Sequence, residues 1–84
     1  MTTEELSSEW LDEGDALTRD FAFADFKEAM AFAQKVGLIA EEMNHHPDII
    51  IHDYKYVSLI LRTHDAQSVT QKDRELARKI DEII

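Results

Sequence analysis

The chain has a single proline, Pro47, which separates two segments with different hydrophobic periodicities. Proline restricts the preceding residue to extended conformations, so a helix cannot continue through His46. Before this point apolar residues recur every three or four positions, whereas after it they alternate. The sequence therefore predicts a helix that ends at Asn44 or His45 and is followed at once by strands.

The predicted helix begins after Asp25, a residue suited to the N-cap position. Its main apolar stripe consists of residues at helical spacing, widened by their neighbours: Phe26, Met30, Ala33, Gly37 and Ala40, with Ala29, Phe32, Val36 and Met43. Leu38 and Ile39 lie away from this stripe. We interpret them as a second face that is buried by a partner or by self-association.

The segment after Pro47 predicts an antiparallel hairpin. Three consecutive β-branched residues, Ile49–Ile51, favour a strand that is buried on both faces. Residues 56–62 carry aliphatic side chains at alternate positions, which indicates the second strand. The polar and aromatic residues between these strands predict a turn at residues 53–55.

The N-terminal part of the chain predicts a second, smaller hairpin. A short strand-like piece begins at Trp10 and leads into a turn at residues 13–15, where Gly14 can adopt a positive φ. Residues 16–23 then show the two-residue period of a strand. Residues 1–9 show no such pattern, and we expect them to be frayed or peripheral.

The C-terminal part of the chain predicts a closing helix. Thr70 and Asp73 stand at the spacing of a capping box, with Asp in place of the usual Glu or Gln. One apolar stripe follows, formed by Leu76, Ala77, Ile80, Ile83 and Ile84. The chain has no linker-like stretch and no internal repeat, so residues 1–84 are expected to form a single domain.

Charge and composition narrow the possible function classes. The chain has 18 acidic and 9 basic residues, and its net charge of -9 disfavours direct binding to nucleic acid or to an anionic membrane. It contains no cysteine, which excludes disulfides and thiolate chemistry. No apolar run approaches the roughly 18 residues of a membrane span, and the N-terminus lacks a secretory-signal pattern. We therefore expect a cytoplasmic protein.

Three of the four histidines are predicted to meet at one end of the sheet. The expected hairpin pairs residues whose numbers sum to roughly 108 to 110, which sets the pair His45–His46 opposite Thr63 or His64. His52 falls at the turn end and is excluded from the cluster. Because imidazole exchanges protons near neutral pH, the cluster is a candidate acid–base site.

Two other interpretations of these histidines stay open. A histidine near a helix C-terminus is favoured by the helix dipole and can bond the last carbonyls without any catalytic role. Three imidazoles would also suffice for a catalytic zinc ion, although adjacent residues seldom direct both rings at one ion. We therefore expect no metal, while a purely structural role stays an alternative to the functional site.

The residues around this cluster resemble the pterin-4a-carbinolamine dehydratase family. The resemblance rests on ordered polar and aromatic residues: Glu41, Asn44–Pro47, Tyr54, Thr63–Asp65 and Asp73. It extends upstream through Trp10, "EGD" and "FAFADF". Ordered spacing over about thirty residues makes this signal more specific than "HHP" alone.

The resemblance implies an α+β fold, in which an antiparallel four-stranded sheet has two main helices packed on one face. It implies a hydro-lyase that dehydrates 4a-hydroxytetrahydropterin to quinonoid dihydropterin in tetrahydropterin recycling, without a cofactor. By position, His45, His46 and His64 match the family's active-site histidines. Glu41 and Asp73 match acidic residues associated with the substrate pocket. Assembly as a homodimer or homotetramer is also implied.

Two alternatives to the enzyme follow from the same resemblance. Animal relatives bind and stabilise the dimer of a homeodomain transcription factor, so a protein-interaction module is one of them. A pterin binder without turnover is the other. The intact histidines favour the enzyme, because a pure adaptor would not require them.

Overall fold

Four antiparallel strands and two helices make up residues 10–84, the part of the chain that the computed structural model describes. The elements follow one another as β1 (Leu11–Asp12), β2 (Leu17–Ala22), α1 (Phe26–Met43), β3 (Asp48–His52), β4 (Tyr56–Leu61) and α2 (Gln71–Glu82). The strands form one sheet in the order β1-β2-β4-β3. The predicted α+β fold is therefore confirmed, while the expectation for residues 1–9 lies outside the described residues.

The core lies between one face of the sheet and the two helices. Strand β4 is central in the sheet, and its alternate residues Val57, Leu59 and Leu61 are fully buried. Helix α2 covers them with its predicted apolar stripe, in which Leu76 and Ile80 are fully buried. No helix within residues 10–84 is long and apolar enough to cross a membrane.

Both predicted hairpins are confirmed. In the first, Gly14 has φ +89 and donates its N–H to the Asp12 side chain at 3.0 Å. In the second, the register pairs Asp48 with Ile60 and His52 with Tyr56, so the residue numbers sum to 108 as expected. The two strands are thus fixed in the alignment that places the residues after Leu61 near the end of α1.

The Asp12 carboxylate also ties the first hairpin to α2. It accepts a hydrogen bond from Arg74 at 2.8 Å. This bond, with the N–H of Gly14, lowers the pKa of Asp12 below its ordinary value of 3.8. The pair is exposed, so it is expected to add little to stability.

Strand β3 differs from its prediction. The three isoleucines were expected to be buried on both faces, but β3 is an edge strand and Ile50 is exposed. Ile49 and Ile51 pack against the core as partly buried residues. The prediction was wrong because β-branched side chains favour any strand, whereas burial on the second face requires another layer. Both described helices lie on the opposite face.

Helix α1 has the predicted bounds, and its buried face is narrower than the predicted stripe. Asp25 caps it as expected, accepting the N–H of Glu28 at 2.9 Å. The buried residues Ala29, Phe32, Val36 and Ala40 all belong to the predicted stripe, which is confirmed for them. Phe26 and Met30 are exposed, so the prediction was wrong in centring the stripe on these two residues. Leu38 is exposed as expected, but Ile39 packs against the core rather than forming a second face. Ile84 of the closing stripe is also exposed.

Candidate active site

At the end of α1 the backbone orients the two adjacent histidines differently. Asn44 adopts a left-handed conformation, with φ 52 and ψ 43, and its N–H bonds the carbonyl of Glu41. The N–H of His45 bonds the carbonyl of Ala40 at 3.0 Å, which completes a Schellman-type ending. Pro47 then prevents any return to helix. As a result, His45 is largely buried while His46 is exposed.

His45 is held by a fully buried carboxylate. Its Nε2 lies 2.7 Å from Oδ1 of Asp73, a residue in the first turn of α2 with no exposed surface. The other oxygen of Asp73 accepts hydrogen bonds from the Thr63 hydroxyl and the Thr70 backbone N–H, both at 2.9 Å. The ends of α1 and β4 and the start of α2 therefore meet at this one carboxylate.

Thr63 stands at the centre of this junction. Its hydroxyl lies 2.6 Å from that of Thr70, in addition to its bond to Asp73. Its backbone N–H bonds Ser68 at 3.0 Å, and its carbonyl accepts the N–H of Gln67 at 2.7 Å. These bonds close a turn over residues 64–67, which carries His64 at its first position.

The remaining two predicted site histidines are exposed. His46 contacts Glu41 through Nε2 and Oε2 at 2.5 Å, and both side chains are more than half exposed. The imidazole of His64 has no hydrogen-bond or ion-pair partner among residues 10–84, while the backbone carbonyl of this residue accepts the N–H of Gln67 at 3.2 Å. An exposed imidazole that no residue of the described range contacts through a hydrogen bond or an ion pair is suited to meeting a substrate.

Four of the predicted site residues form two contacting pairs, and the fifth, His64, has an exposed ring. His45 contacts Asp73, His46 contacts Glu41, and His64 follows Thr63 directly in the chain. His52 lies at the turn end of the hairpin, as expected, where it contacts Asp53 and Ser58.

The predicted capping box of Thr70 and Asp73 is confirmed, whereas sequence reasoning missed the bonds that Thr63 makes to both of these residues. The capping-box spacing of Thr70 and Asp73 was a usable signal, because a capping carboxylate is already fixed at a helix N-terminus. Nothing local indicated Thr63, which reaches Asp73 across ten positions of the chain.

A cavity of about 490 Å³ lies elsewhere in the molecule. It is lined chiefly by Phe21, Phe23 and Phe32, with Lys35 and Ile83 at its walls. None of the predicted site residues lines it. The presence of a cavity therefore does not by itself identify the candidate site, and the histidine junction, where Asp73 holds the ring of His45, stays the candidate. Within residues 10–84 no three histidine or carboxylate side chains are grouped so that they could hold a metal ion.

Comparison with known proteins gives a consistent family. A family model described as pterin 4 alpha carbinolamine dehydratase matches residues 1–83. A similar protein from Thermomicrobium roseum is 50% identical over 74 residues, which span 88% of this chain and 78% of that protein. Another, from Sulfurisphaera tokodaii, is 49% identical over 75 residues, or 89% of this chain and 80% of that protein. Both are provisionally named pterin-4-alpha-carbinolamine dehydratase.

Similar solved structures include two with different descriptions. The first, from Brucella melitensis, is described as a transcriptional coactivator/pterin dehydratase; it has a TM-score of 0.80 and 37% identity, over 90% of this chain and 82% of that chain. The second is described as a pterin dehydratase-like protein and a RuBisCO assembly factor in the alpha-carboxysome. Its TM-score is 0.73 at 23% identity, over 95% of this chain and 94% of that chain, so the likeness concerns the fold alone.

Proposed function

Because this chain belongs to the pterin-4-alpha-carbinolamine dehydratase family, we propose that it dehydrates 4a-hydroxytetrahydropterin to quinonoid dihydropterin. The observation that carries the proposal is the contact between His45 and the buried Asp73, because it fixes an imidazole at the end of α1. The family match supplies the substrate class, and the geometry supplies the proton-exchanging groups.

The chemistry of this reaction suits imidazoles. The C4a–O bond breaks and hydroxide leaves, so an acid must protonate the leaving oxygen while a base removes the proton of N5. The proton given by the acid leaves in the water molecule, and the proton of N5 stays on the base. The electrons of N5 form the C4a–N5 double bond as the C4a–O bond breaks, so nothing is oxidised or reduced, and transfer of one proton from the base to the acid restores both groups. Positioned side chains with ordinary imidazole chemistry can perform both transfers near neutral pH.

His45 and His64 are assigned the proton transfers. His45 is fixed in orientation by Asp73, and His64 is exposed on the turn that follows Thr63. A fixed ring and an accessible ring can work on two separate atoms of a bound pterin, one on the leaving oxygen and one on N5.

The acidic residues receive different roles. Asp73 is fully buried and both of its oxygens are already occupied, which favours holding the His45 ring over direct contact with the pterin. Glu41 is exposed beside His46, so these two side chains can bind and orient the pterin from the rim of the site.

A stopped-flow assay with freshly generated carbinolamine tests the proposal. The wild-type protein is expected to accelerate dehydration over buffer. His45→Ala and His64→Ala should each lower turnover by about 10²-fold or more, because each removes a general acid or base. His52→Ala is the matched control, since it removes an imidazole from the other end of the hairpin, and its turnover should equal that of wild type.

One result would contradict this function, and another would contradict only the role of His64. A folded wild-type protein that gives no acceleration would exclude the dehydratase. Normal turnover of His64→Ala would leave dehydration in place but remove His64 from the mechanism.

A second function, protein interaction, is favoured by exposed apolar side chains on α1. Phe26, Met30 and Leu38 are all exposed, and exposed apolar patches on a small domain mark association surfaces. One structural relative is described as a transcriptional coactivator/pterin dehydratase. Self-association into a homodimer or homotetramer would cover the same residues. Absence of catalysis in the assay above would favour this function over the enzyme.

A further inference from the structure

The carboxylate of Asp73 is the acceptor in all of its hydrogen bonds. The Thr63 hydroxyl donates to Oδ2, and the backbone N–H of Thr70 donates to the same atom. A carboxylate only accepts, so each group around it must present a hydrogen. Because the side chain has no exposed surface, solvent does not take the place of these donors.

The contact between the two threonines follows from this direction. Thr63 uses its single hydroxyl hydrogen on Asp73, so in its 2.6 Å contact with Thr70 its oxygen is the acceptor. Thr70 must then be the donor. The two hydroxyls form a short relay that begins at Thr70, passes through Thr63 and ends on the carboxylate.

The same reasoning fixes the protonation of His45. Its Nε2 lies 2.7 Å from Oδ1 of Asp73, so the hydrogen of a neutral ring must be on Nε2. The lone pair of the neutral ring is then on Nδ1. This nitrogen is the only atom of the ring that can take up or deliver a proton without breaking the bond to Asp73.

We propose that Thr63 and Thr70 are positioning residues that act through Asp73 to hold His45 in the Nε2–H form, so that Nδ1 exchanges the proton with substrate. The catalytic part of this inference rests on the proposed function, whereas the protonation state of the ring does not. Thr63 has the larger role, because its backbone bonds also close the turn that carries His64. One residue therefore orients both proton-exchanging histidines.

The test combines the protonation state of the His45 ring with turnover. Long-range proton–nitrogen NMR spectra, recorded above neutral pH, report which ring nitrogen carries the hydrogen. In the wild type, His45 should be almost entirely in the Nε2–H form. Thr63→Val keeps the side-chain shape but removes the hydroxyl, so it should give a mixture of the two neutral forms and lower kcat roughly tenfold with little change in KM.

Two further variants serve as rescue and control. Thr63→Ser restores the hydroxyl and should restore both the Nε2–H form and kcat. Ser58→Ala removes a hydroxyl on β4 that contacts His52 on β3, and it should leave the His45 spectrum and turnover unchanged. If Thr63→Val does not fold, Thr70→Val tests the same relay, with a smaller expected change because the bond from Thr63 to Asp73 remains.

The outcomes separate this inference from the proposed function. A wild-type His45 found mainly in the Nδ1–H form would overturn the inference whatever the activity. An unchanged His45 spectrum and unchanged kcat in Thr63→Val would also overturn it. A protein with the expected spectra but no dehydratase activity would support the positioning relay and reject the proposed function.

Discussion

The two ends of the β3–β4 hairpin each carry a histidine in contact with an aspartate, with a hydroxyl beside the pair. At the end near α1, His45 contacts Asp73, which in turn accepts the hydroxyl of Thr63. At the turn end, His52 contacts Asp53 through Nδ1 and Ser58 through Nε2, both at 3.1 Å. The residue types are the same, so residue type alone cannot decide which end performs chemistry.

Burial is the difference between the two ends. The side chains of His45 and Asp73 are 11% and 0% exposed, whereas those of His52 and Asp53 are 45% and 77% exposed. Water competes for the exposed contacts and screens them, so they hold no fixed geometry. Buried hydrogen bonds to a charged group are stronger and costly to break. An imidazole fixed in this way is suited to directing one nitrogen at a substrate.

The backbone supports the two aspartates differently. Asp73 lies in the first turn of α2, and its side chain bonds the N–H of Thr70 at that helix's N-cap. Asp53 lies in a tight turn where it and Tyr54 both have positive φ, 48 and 54. Such a conformation is strained for residues other than glycine. The turn end therefore gives its carboxylate no comparable support.

The largest expected effect tests whether the buried aspartate contributes more to stability than the exposed aspartate at the turn end. Asp73→Asn should lower the free energy of unfolding by about 3 kcal/mol, because the amide NH₂ must face either His45 or the donors of Thr63 and Thr70. Asp53→Asn is the matched control and should change it by no more than about 0.5 kcal/mol. Urea unfolding followed by circular dichroism measures both. If the two variants lose similar free energies of unfolding, burial does not make the aspartate at the α1 end more important for stability than the one at the turn end.

A smaller effect of opposite sign is expected at the turn. Tyr54→Gly should raise the free energy of unfolding by about 0.5 kcal/mol, because glycine adopts positive φ without strain and this gain exceeds its larger entropy in the unfolded chain. Tyr54→Ala is the control, since it removes the ring but keeps the strained backbone. Its stability should not increase. Equal stabilisation by both substitutions would mean that the ring, rather than the backbone, is unfavourable.

Local sequence signals predicted most of the fold. Asp25 caps α1 and Gly14 has a positive φ, as their residue types indicate. The paired residues of the β3–β4 hairpin have numbers that sum to 108, as expected. These features depend on a few neighbouring residues. The stripe predicted for α1 was too wide, because neighbouring rows of residues share the same helical period and only packing against the sheet selects Val36 over Met30. The edge position of β3 depends on strand order, which local pattern does not contain.

The sequence was enough to choose candidate site residues but not to predict the contacts between them. The positions of His45, His46 and His64 followed from the helix end and the hairpin register, and the family resemblance supplied the choice of Asp73. The full burial of Asp73 could not be predicted from sequence, because it depends on how three elements pack together. The role of Thr63 required the same arrangement, because its partner is remote in sequence.

The most direct test of the whole account is a titration with 7,8-dihydropterin, the stable isomer of the product, followed by the imidazole NMR signals. If one pterin site lies at the α1 end, the signals of His45, His46 and His64 should shift together with a single Kd while those of His52 stay fixed. A His64 signal that does not move while His45 shifts would contradict a shared site. A shift at His52 alone would place pterin binding at the wrong end of the hairpin.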